Sequence, residues 1–229
     1  MAERVIMSEE IIPRQFLVCG RRSMTWTSNI SHLTKCLNVL SVRNIRGREI
    51  HADEAFSQWI DKLLCIRREG KTVFLIGNGA SSSMASHMAA DLGKNARIRS
   101  EVLTDPALIT AVGNDCGFEE AFAEPLRWRM TAGDMLVAIS SSGQSPNILA
   151  AVSLAMSMSA YVVTLSAMKA NNGLRGYGDL RFYVPAKTYG SAETSHAAVL
   201  HYWVDEAIEA TRMIPDADEQ PRSVSLPVA

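Results

Sequence analysis

The sequence predicts an α/β fold: a three-layer sandwich with a central parallel sheet flanked by helices, preceded by an N-terminal helical arm. Short apolar runs of strand length, such as 73–76 and 135–139, alternate with longer segments whose apolar residues recur every three or four positions. A loop of Gly and Ser follows each of these two strands, as expected where a strand passes into a helix. Strands that alternate with helices in this way favour a parallel sheet covered on both faces.

The predicted arm consists of two helices, 28–40 and 51–69, each with an apolar stripe at helical spacing. We expect the stripes on 30–40 and 55–66 to be buried between subunits of a symmetric oligomer, because they are too extensive for the edge of a lone domain. The later elements are expected, in chain order, at strand 73–76, helix 82–92, strand 101–103, helix 105–112, helix 118–130, strand 135–139, helix 146–157, strand 161–165, strand 180–184 and helix 191–212.

The chain is predicted to form one domain, at 28–212, that includes both N-terminal helices. Residues 1–27 show no sustained periodicity and are expected to be a poorly ordered leader. Residues 213–229 combine Asp, Pro and Ser and are expected to be a flexible tail.

The composition excludes several classes of partner. Of the 229 residues, 47% are hydrophobic and 21% are charged, and the formal net charge is −1, so no basic field attracts nucleic acid or a membrane surface. No apolar run is long enough to cross a bilayer. The four cysteines form no Cys-x-x-Cys pair and no secretory leader is recognisable, which predicts a cytoplasmic location. A small-molecule substrate is the remaining expectation.

Two loops rich in Gly and Ser, within 74–83 and 138–147, form the candidate binding site. Their hydroxyl groups, and backbone N–H groups at the starts of the following helices, can together cradle a phosphate. The chain lacks the Gly-Lys-Ser/Thr of a P-loop and the Gly-x-Gly-x-x-Gly of a dinucleotide site, so the phosphate is expected on a sugar. The alternative is a pair of ordinary turns, with serines as helix caps and Asn and Asp as turn formers. The candidate substrate-binding residues are Asn78, Gly79, Ser81, Asp115, Ser140, Ser141, Ser142 and Ser145.

Two predicted helices carry a candidate metal site. His87 and Asp91 lie four residues apart, on one face of the helix after the first loop. Glu193 and His201 lie along one broad side of the last helix. Two imidazoles and two carboxylates suit Zn²⁺ or another first-row divalent ion, although a His/Asp pair at this spacing is also common on helix surfaces. His196 lies about 140° around the helix from His201 and is interpreted as structural.

Five motifs in order identify a family resemblance: 77–81, His87 with Asp91, 112–118, 139–147 and 193–201. Together they resemble the sugar isomerase (SIS) domain of the phosphoheptose isomerase type, and the resemblance covers roughly residues 28–212. The resemblance implies an SIS-type fold and isomerisation of sedoheptulose 7-phosphate to a heptose 7-phosphate through an enediol. It also implies one Zn²⁺ per subunit and a homotetramer whose active sites are shared between subunits.

Two positions depart from the family pattern, which has His-x-x-x-Glu on the first site helix and Gln-x7-His on the last. His87 and His201 match, whereas Asp91 stands at the glutamate position and Glu193 at the glutamine position. In the family that glutamate moves a proton between two carbons, and the residue matching His201 serves the sugar oxygen. Asp91 is shorter than glutamate by one methylene, about 1.5 Å. Asp91, Glu193 and His201 are therefore the candidate catalytic residues, and either carboxylate can be the base.

Three other functions compete with this interpretation. The chain could be a non-catalytic phosphosugar-binding or protein-interaction module, a sugar-phosphate sensor, or an isomerase of another phosphosugar. Retention of His87, an acid at position 91 and His201 favours an enzyme, and no helix-turn-helix segment supports a sensor.

Overall fold

The computed structural model describes residues 25–213, and its strands lie in one seven-stranded sheet. The strands are β1 (Ser41–Asn44), β2 (Glu49–Ile50), β3 (Val73–Gly77), β4 (Ser100–Val102), β5 (Met135–Ser140), β6 (Tyr161–Ser166) and β7 (Leu180–Tyr183). The helices are α1 (Trp26–Asn38), α2 (Ala52–Arg68), α3 (Ala80–Ala96), α4 (Pro106–Asp115), α5 (Ala123–Arg129), α6 (Pro146–Ser157) and α7 (Tyr189–Arg212). Residues 1–24 of the expected leader and 214–229 of the expected tail lie outside the described residues.

The strand order is β2-β1-β7-β6-β5-β3-β4, and the five strands from β7 to β4 are parallel. The predicted α/β sandwich is therefore confirmed. The antiparallel edge formed by β1 and β2 was not predicted. These strands have only four and two residues, and Val42 is their one buried residue, so they carry no apolar run that signals a strand.

The side chains of the central strands alternate between two cores, which explains why the strands read as continuous apolar runs. Val73 and Leu75 of β3 face the layer of α2, α3 and α7, whereas Phe74 and Ile76 face the layer of α5 and α6. In the first layer the rings of Trp59 and Trp203 stack with centroids 4.1 Å apart and join α2 to α7.

Two sequence-based expectations about helices are wrong. A single helix at 118–130 is absent: a 3-10 turn at Phe118–Glu120 precedes α5, because Pro125 has no N–H to bond the carbonyl of residue 121. The stripe on 55–66 is not available to another subunit, because its apolar residues are buried inside this chain, against α7 and the sheet. On α1, by contrast, Trp26 and Ile30 are exposed.

None of the helices within residues 25–213 has the length and apolarity that a membrane span requires.

Candidate active site

The two Gly/Ser loops meet at the carboxyl ends of β3 and β5, which are neighbouring strands. Gly77 at the end of β3 pairs in register with Ile139 of β5, so the chain leaves both strands at the same edge of the sheet. The loops border a cleft of about 410 Å³, part of which is open solvent. The residues that line it are Asn78, Ser81, Ile139, Ser140, Ser141, Ser142, Ser145, Tyr189 and Glu193.

Neither helix that starts at the cleft has a side-chain cap. Side chains of the N-cap residues bond the first turns of α1, α2, α4 and α7, whereas α3 and α6 begin at Gly79 and Ser145 without such a bond, as α5 does at Phe122. At α3 the N–H groups of Ser81 and Ser82 already bond the carbonyls of Asn78 and Gly79, and at α6 Pro146 has no N–H and the Ile148 N–H bonds the Ser145 carbonyl. The Ala80 and Asn147 N–H groups make no such bond within residues 25–213 and are the ones available to a ligand. Together with the helix dipoles, they favour an anion in the cleft.

The serine hydroxyls are organised by the loop itself. The Gly143 N–H donates to Ser140 Oγ at 3.2 Å, and Ser140 Oγ lies 3.3 Å from Ser145 Oγ. The Gln144 N–H donates to Ser142 Oγ at 3.2 Å. Ser141 Oγ is buried and has no hydrogen-bond partner among the described residues. A buried hydroxyl usually has a partner, and a ligand oxygen in the cleft can supply it.

Two glycines are required for the loops to pack as they do. A Cβ on Gly77 would lie 2.6–2.7 Å from backbone and side-chain atoms of Ser81, so α3 can start directly against β3 only because residue 77 has none. Gly143 has φ +63°, and a Cβ there would lie 2.1 Å from Oδ1 of Asn172. The sequence predicted turns here; the close approach is visible only in the structure.

Three of the four predicted metal ligands lie together, on α3 and α7. The possible ligand atoms of His87, Asp91 and His201 all lie within 4.8 Å of one another. His87 Nε2 is 3.4 Å from Asp91 Oδ2, and the rings of His87 and His201 have centroids 5.3 Å apart. Both histidines are exposed and Asp91 is half-buried. Two imidazole nitrogens and a carboxylate oxygen are a donor set that fits Zn²⁺.

The fourth predicted ligand, Glu193, lies apart from this cluster and lines the serine cleft instead. It is half-buried and precedes His201 by eight residues, about 12 Å of helix rise. Two predicted substrate-binding residues do not line the cleft of this chain. Asp115 is exposed at the end of α4 and accepts a 2.8 Å bond from Nδ2 of Asn114. Gly79 is the N-cap of α3.

Tyr189 is a cleft residue that the sequence interpretation missed, because the last helix was expected to begin at residue 191. The helix begins at Tyr189, where the side chain of Thr188 accepts a bond from the Ser191 N–H. A Thr followed three residues later by Ser was the available signal for that earlier start. The exposed ring of Tyr189 therefore lies at the mouth of the cleft, one turn from Glu193.

His196 is fully buried in α7, as its structural interpretation requires. Neither ring nitrogen makes a hydrogen bond of good geometry within residues 25–213. The nearby Ser166 backbone favours the protonated ring, but burial outweighs it and lowers the pKa of His196 from 6.5 to about 4.

Acidification should therefore destabilise the fold through His196. Between pH 6.5 and about 4, His196 is protonated in the unfolded chain but neutral in the folded chain. The free energy of unfolding therefore falls as the pH falls through this window. From pH 7 to 5 we expect a loss of about 2 kcal/mol from this residue. Urea unfolding at both pH values measures it. H196N should lose that part of the acid sensitivity and H51N, at an exposed histidine, should keep it; equal sensitivity in both variants would contradict the prediction.

Comparisons with known proteins agree with this geometry. The sequence model for the SIS domain matches residues 46–167, a stretch that contains both loops of the cleft. Phosphoheptose isomerase of Fusobacterium nucleatum is 34% identical over 152 residues, which are 63% of this chain and 76% of the relative. That of Shewanella loihica is 32% identical over 184 residues, 75% and 92% of the two chains. The structure of phosphoheptose isomerase GmhA from Neisseria gonorrhoeae superposes with a TM-score of 0.68 at 25% identity, covering 79% of this chain and 96% of that one.

Proposed function

Because the chain belongs to the SIS domain family, and within it to the phosphoheptose isomerases, we propose that it isomerises sedoheptulose 7-phosphate to a heptose 7-phosphate aldose. One observation carries the proposal from family to chemistry: a serine cleft at the starts of α3 and α6 contains a carboxylate, and α3 and α7, which both contribute to the cleft, also carry a His/Asp/His cluster. Aldose–ketose isomerisation needs an anchor for the phosphate, a base near the carbon acid and a polarised carbonyl.

The phosphate anchor and the polarisation of the carbonyl are assigned to different residues. The phosphate is held by the hydroxyls of Ser81, Ser140, Ser141, Ser142 and Ser145, together with the N–H groups of Ala80 and Asn147 at the starts of α3 and α6. His87, Asp91 and His201 would hold Zn²⁺, which supplies polarisation of the substrate carbonyl when it is bound.

Glu193 is the proposed base. Its carboxylate takes a proton from C1 of the ketose as the C2 oxygen accepts one from water, which gives the enediol. Glu193 then returns its proton to C2 while the C1 hydroxyl gives its own to water, which leaves the aldehyde. Asp91 lies among the histidines and Glu193 does not, so Glu193 is the carboxylate left free to accept a proton. This role requires the bound sugar to bring C1 to Glu193.

Activity on a panel of phosphosugars tests the proposal. Purified protein with close to one Zn²⁺ per chain should convert sedoheptulose 7-phosphate to the aldose, followed by NMR. Faster turnover of another ketose or aldose phosphate would move the assignment to that substrate. A protein inert towards the whole panel, with and without added Zn²⁺, would favour a binding module.

The anchor predicts a binding defect that spares the fold. In S142A/S145A two hydroxyls are lost, and each hydrogen bond to a charged group contributes about 1.5–3 kcal/mol. Calorimetry should therefore show sedoheptulose 7-phosphate binding weakened by two orders of magnitude or more, about twice the logarithmic loss of either single variant. S153A, at an exposed serine of α6, is the matched control. Unchanged affinity in the double variant would remove the serines from the phosphate site.

The homotetramer implied by the family is part of the same proposal. Trp26 is 76% exposed and Ile30 is 42% exposed on α1, so this helix offers apolar surface to another copy. Light scattering should give a mass of about four chains of 25.0 kDa, and W26E/I30E should shift it downwards. A monomeric wild type at micromolar concentration would contradict the assembly. A cytoplasmic location is also proposed, since the described cysteines, Cys36, Cys65 and Cys116, are free thiols.

A further inference from the structure

A pair of asparagines joins the two loops of the cleft. Nδ2 of Asn78 donates to Oδ1 of Asn147 at 3.0 Å, and Nδ2 of Asn147 donates to Oδ1 of Asn78, also at 3.0 Å. Asn78 lies between β3 and α3, and Asn147 is the second residue of α6. The two residues are 69 positions apart in the chain, so these reciprocal bonds are a tertiary link between the loops.

The two members of the pair have different surroundings. Asn147 is 2% exposed and does not line the cleft, whereas Asn78 is exposed and lines it. The side chain of Asn147 makes no other hydrogen bond to residues 25–213. The buried amide of Asn147 has Asn78 as its hydrogen-bond partner, and Asn78 faces the cleft. The side chain of Asn147 can therefore affect the cleft only through Asn78.

The Asn78 amide keeps hydrogen-bonding groups that can bind a ligand. An asparagine amide has two N–H donors and two acceptor lone pairs. The pair uses one donor and one acceptor of Asn78, and leaves one of each on a residue that faces the cleft. A sugar hydroxyl both donates and accepts, so it matches this remaining edge. Rotation of either amide alone by 180° would oppose N–H to N–H and oxygen to oxygen, so each amide fixes the other.

We propose that Asn147 is a positioning residue: through its paired bonds to Asn78 it holds the two loops in one arrangement and fixes the Asn78 amide for a substrate hydroxyl. This inference rests on the proposed function for its kinetic consequence but not for the existence of the link. The link is a property of the free protein, so the two ideas are tested separately.

Unfolding of the free protein tests the link. N78A leaves the buried Asn147 amide unpaired, so it should lower the folding equilibrium constant about tenfold. Adding N147A should restore part of that loss instead of adding to it, because the unpaired amide is then gone. N38A, at an exposed asparagine at the end of α1, should leave the constant within about twofold. Strictly additive losses in the double variant would overturn the link.

Steady-state kinetics on sedoheptulose 7-phosphate tests the positioning role. N147A should lower kcat/KM about tenfold in the wild-type background and by less than about twofold in the N78A background, since without Asn78 nothing remains to be positioned. N147D keeps the shape of the side chain but loses its donated bond, so it should show the same dependence on Asn78 if N147A folds poorly. The same loss in both backgrounds, or no loss in either, would overturn the role. A wild type without turnover would contradict the isomerase function, while the unfolding cycle would still decide whether the link exists.

Discussion

E193Q should lower kcat about 10³-fold while the protein keeps its metal and its affinity for the phosphate. Glutamine has nearly the shape of glutamate but accepts no proton, and a general base contributes about 10²–10⁴-fold to a rate. The metal should stay because Glu193 lies in the cleft and apart from the His87, Asp91 and His201 cluster. Steady-state kinetics, zinc content by mass spectrometry and calorimetry measure the three quantities. E206Q, at an exposed glutamate of the same helix, is the matched control.

The same variant separates the two candidate bases. E193Q restores the glutamine of the family pattern, so activity within a few-fold of wild type would assign the base to Asp91 instead. D91E/E193Q then completes the family pattern. If Glu193 is the base here, D91E/E193Q should recover activity relative to E193Q, because the longer side chain regains the reach that Asp91 lacks. Loss of zinc from E193Q would contradict the division of roles between the carboxylates.

G77A should damage both the fold and the site. The added Cβ would lie 2.6–2.7 Å from Ser81, so the first turn of α3 has to move away from the end of β3. Overpacking of this kind costs about 1–3 kcal/mol of unfolding free energy. Displacement of the loop should also lower kcat/KM about 10²-fold, because misplacement of about 1 Å at a site has that effect. Denaturant unfolding and steady-state kinetics measure the two losses.

G176A is the matched control for this substitution. Among residues 25–213, no atom lies within 4 Å of a Cβ built on Gly176, and its φ lies outside the left-handed region. We expect its stability and its kcat/KM to stay close to wild type. A G77A protein as stable and as active as G176A would mean that the start of α3 adapts without cost.

Most of the fold was predictable because its signals are local. The buried strands β3 and β5 are continuous apolar runs, and α2 and α7 repeat apolar residues at helical spacing. The edge strands β1 and β2 lack such a signal, since β1 is stabilised by pairing with β7, and β2 by pairing with β1, and not by their own composition. Whether the stripe of α2 faces a neighbour or the chain's own core was likewise undecidable from its period, because both surroundings select the same residues.

Seven of the nine residues that line the cleft were predicted as site residues, but their arrangement was not. The i, i+4 spacing brings His87 and Asp91 together on one helix, and this local geometry is found. The grouping of Glu193 with them depended on how α3 and α7 pack, which is a tertiary property, and the structure puts Glu193 with the serines. The bonds between Asn78 and Asn147 join residues that are 69 positions apart, so neither local sequence predicts them.

The serine loop and the titratable residues of the site belong to elements on opposite faces of the sheet. The serine loop leads into α6, which packs on one face of the sheet, whereas His87, Asp91, Glu193 and His201 all belong to α3 and α7 on the other face. Both departures from the family pattern, at positions 91 and 193, fall on the α3/α7 side, and the serine loop carries neither. The anchor draws on both layers, because Ser81 of α3 lines the cleft with the serines that precede α6. A change at position 91 or 193 therefore acts from one face of the sheet, whereas the phosphate is held from both.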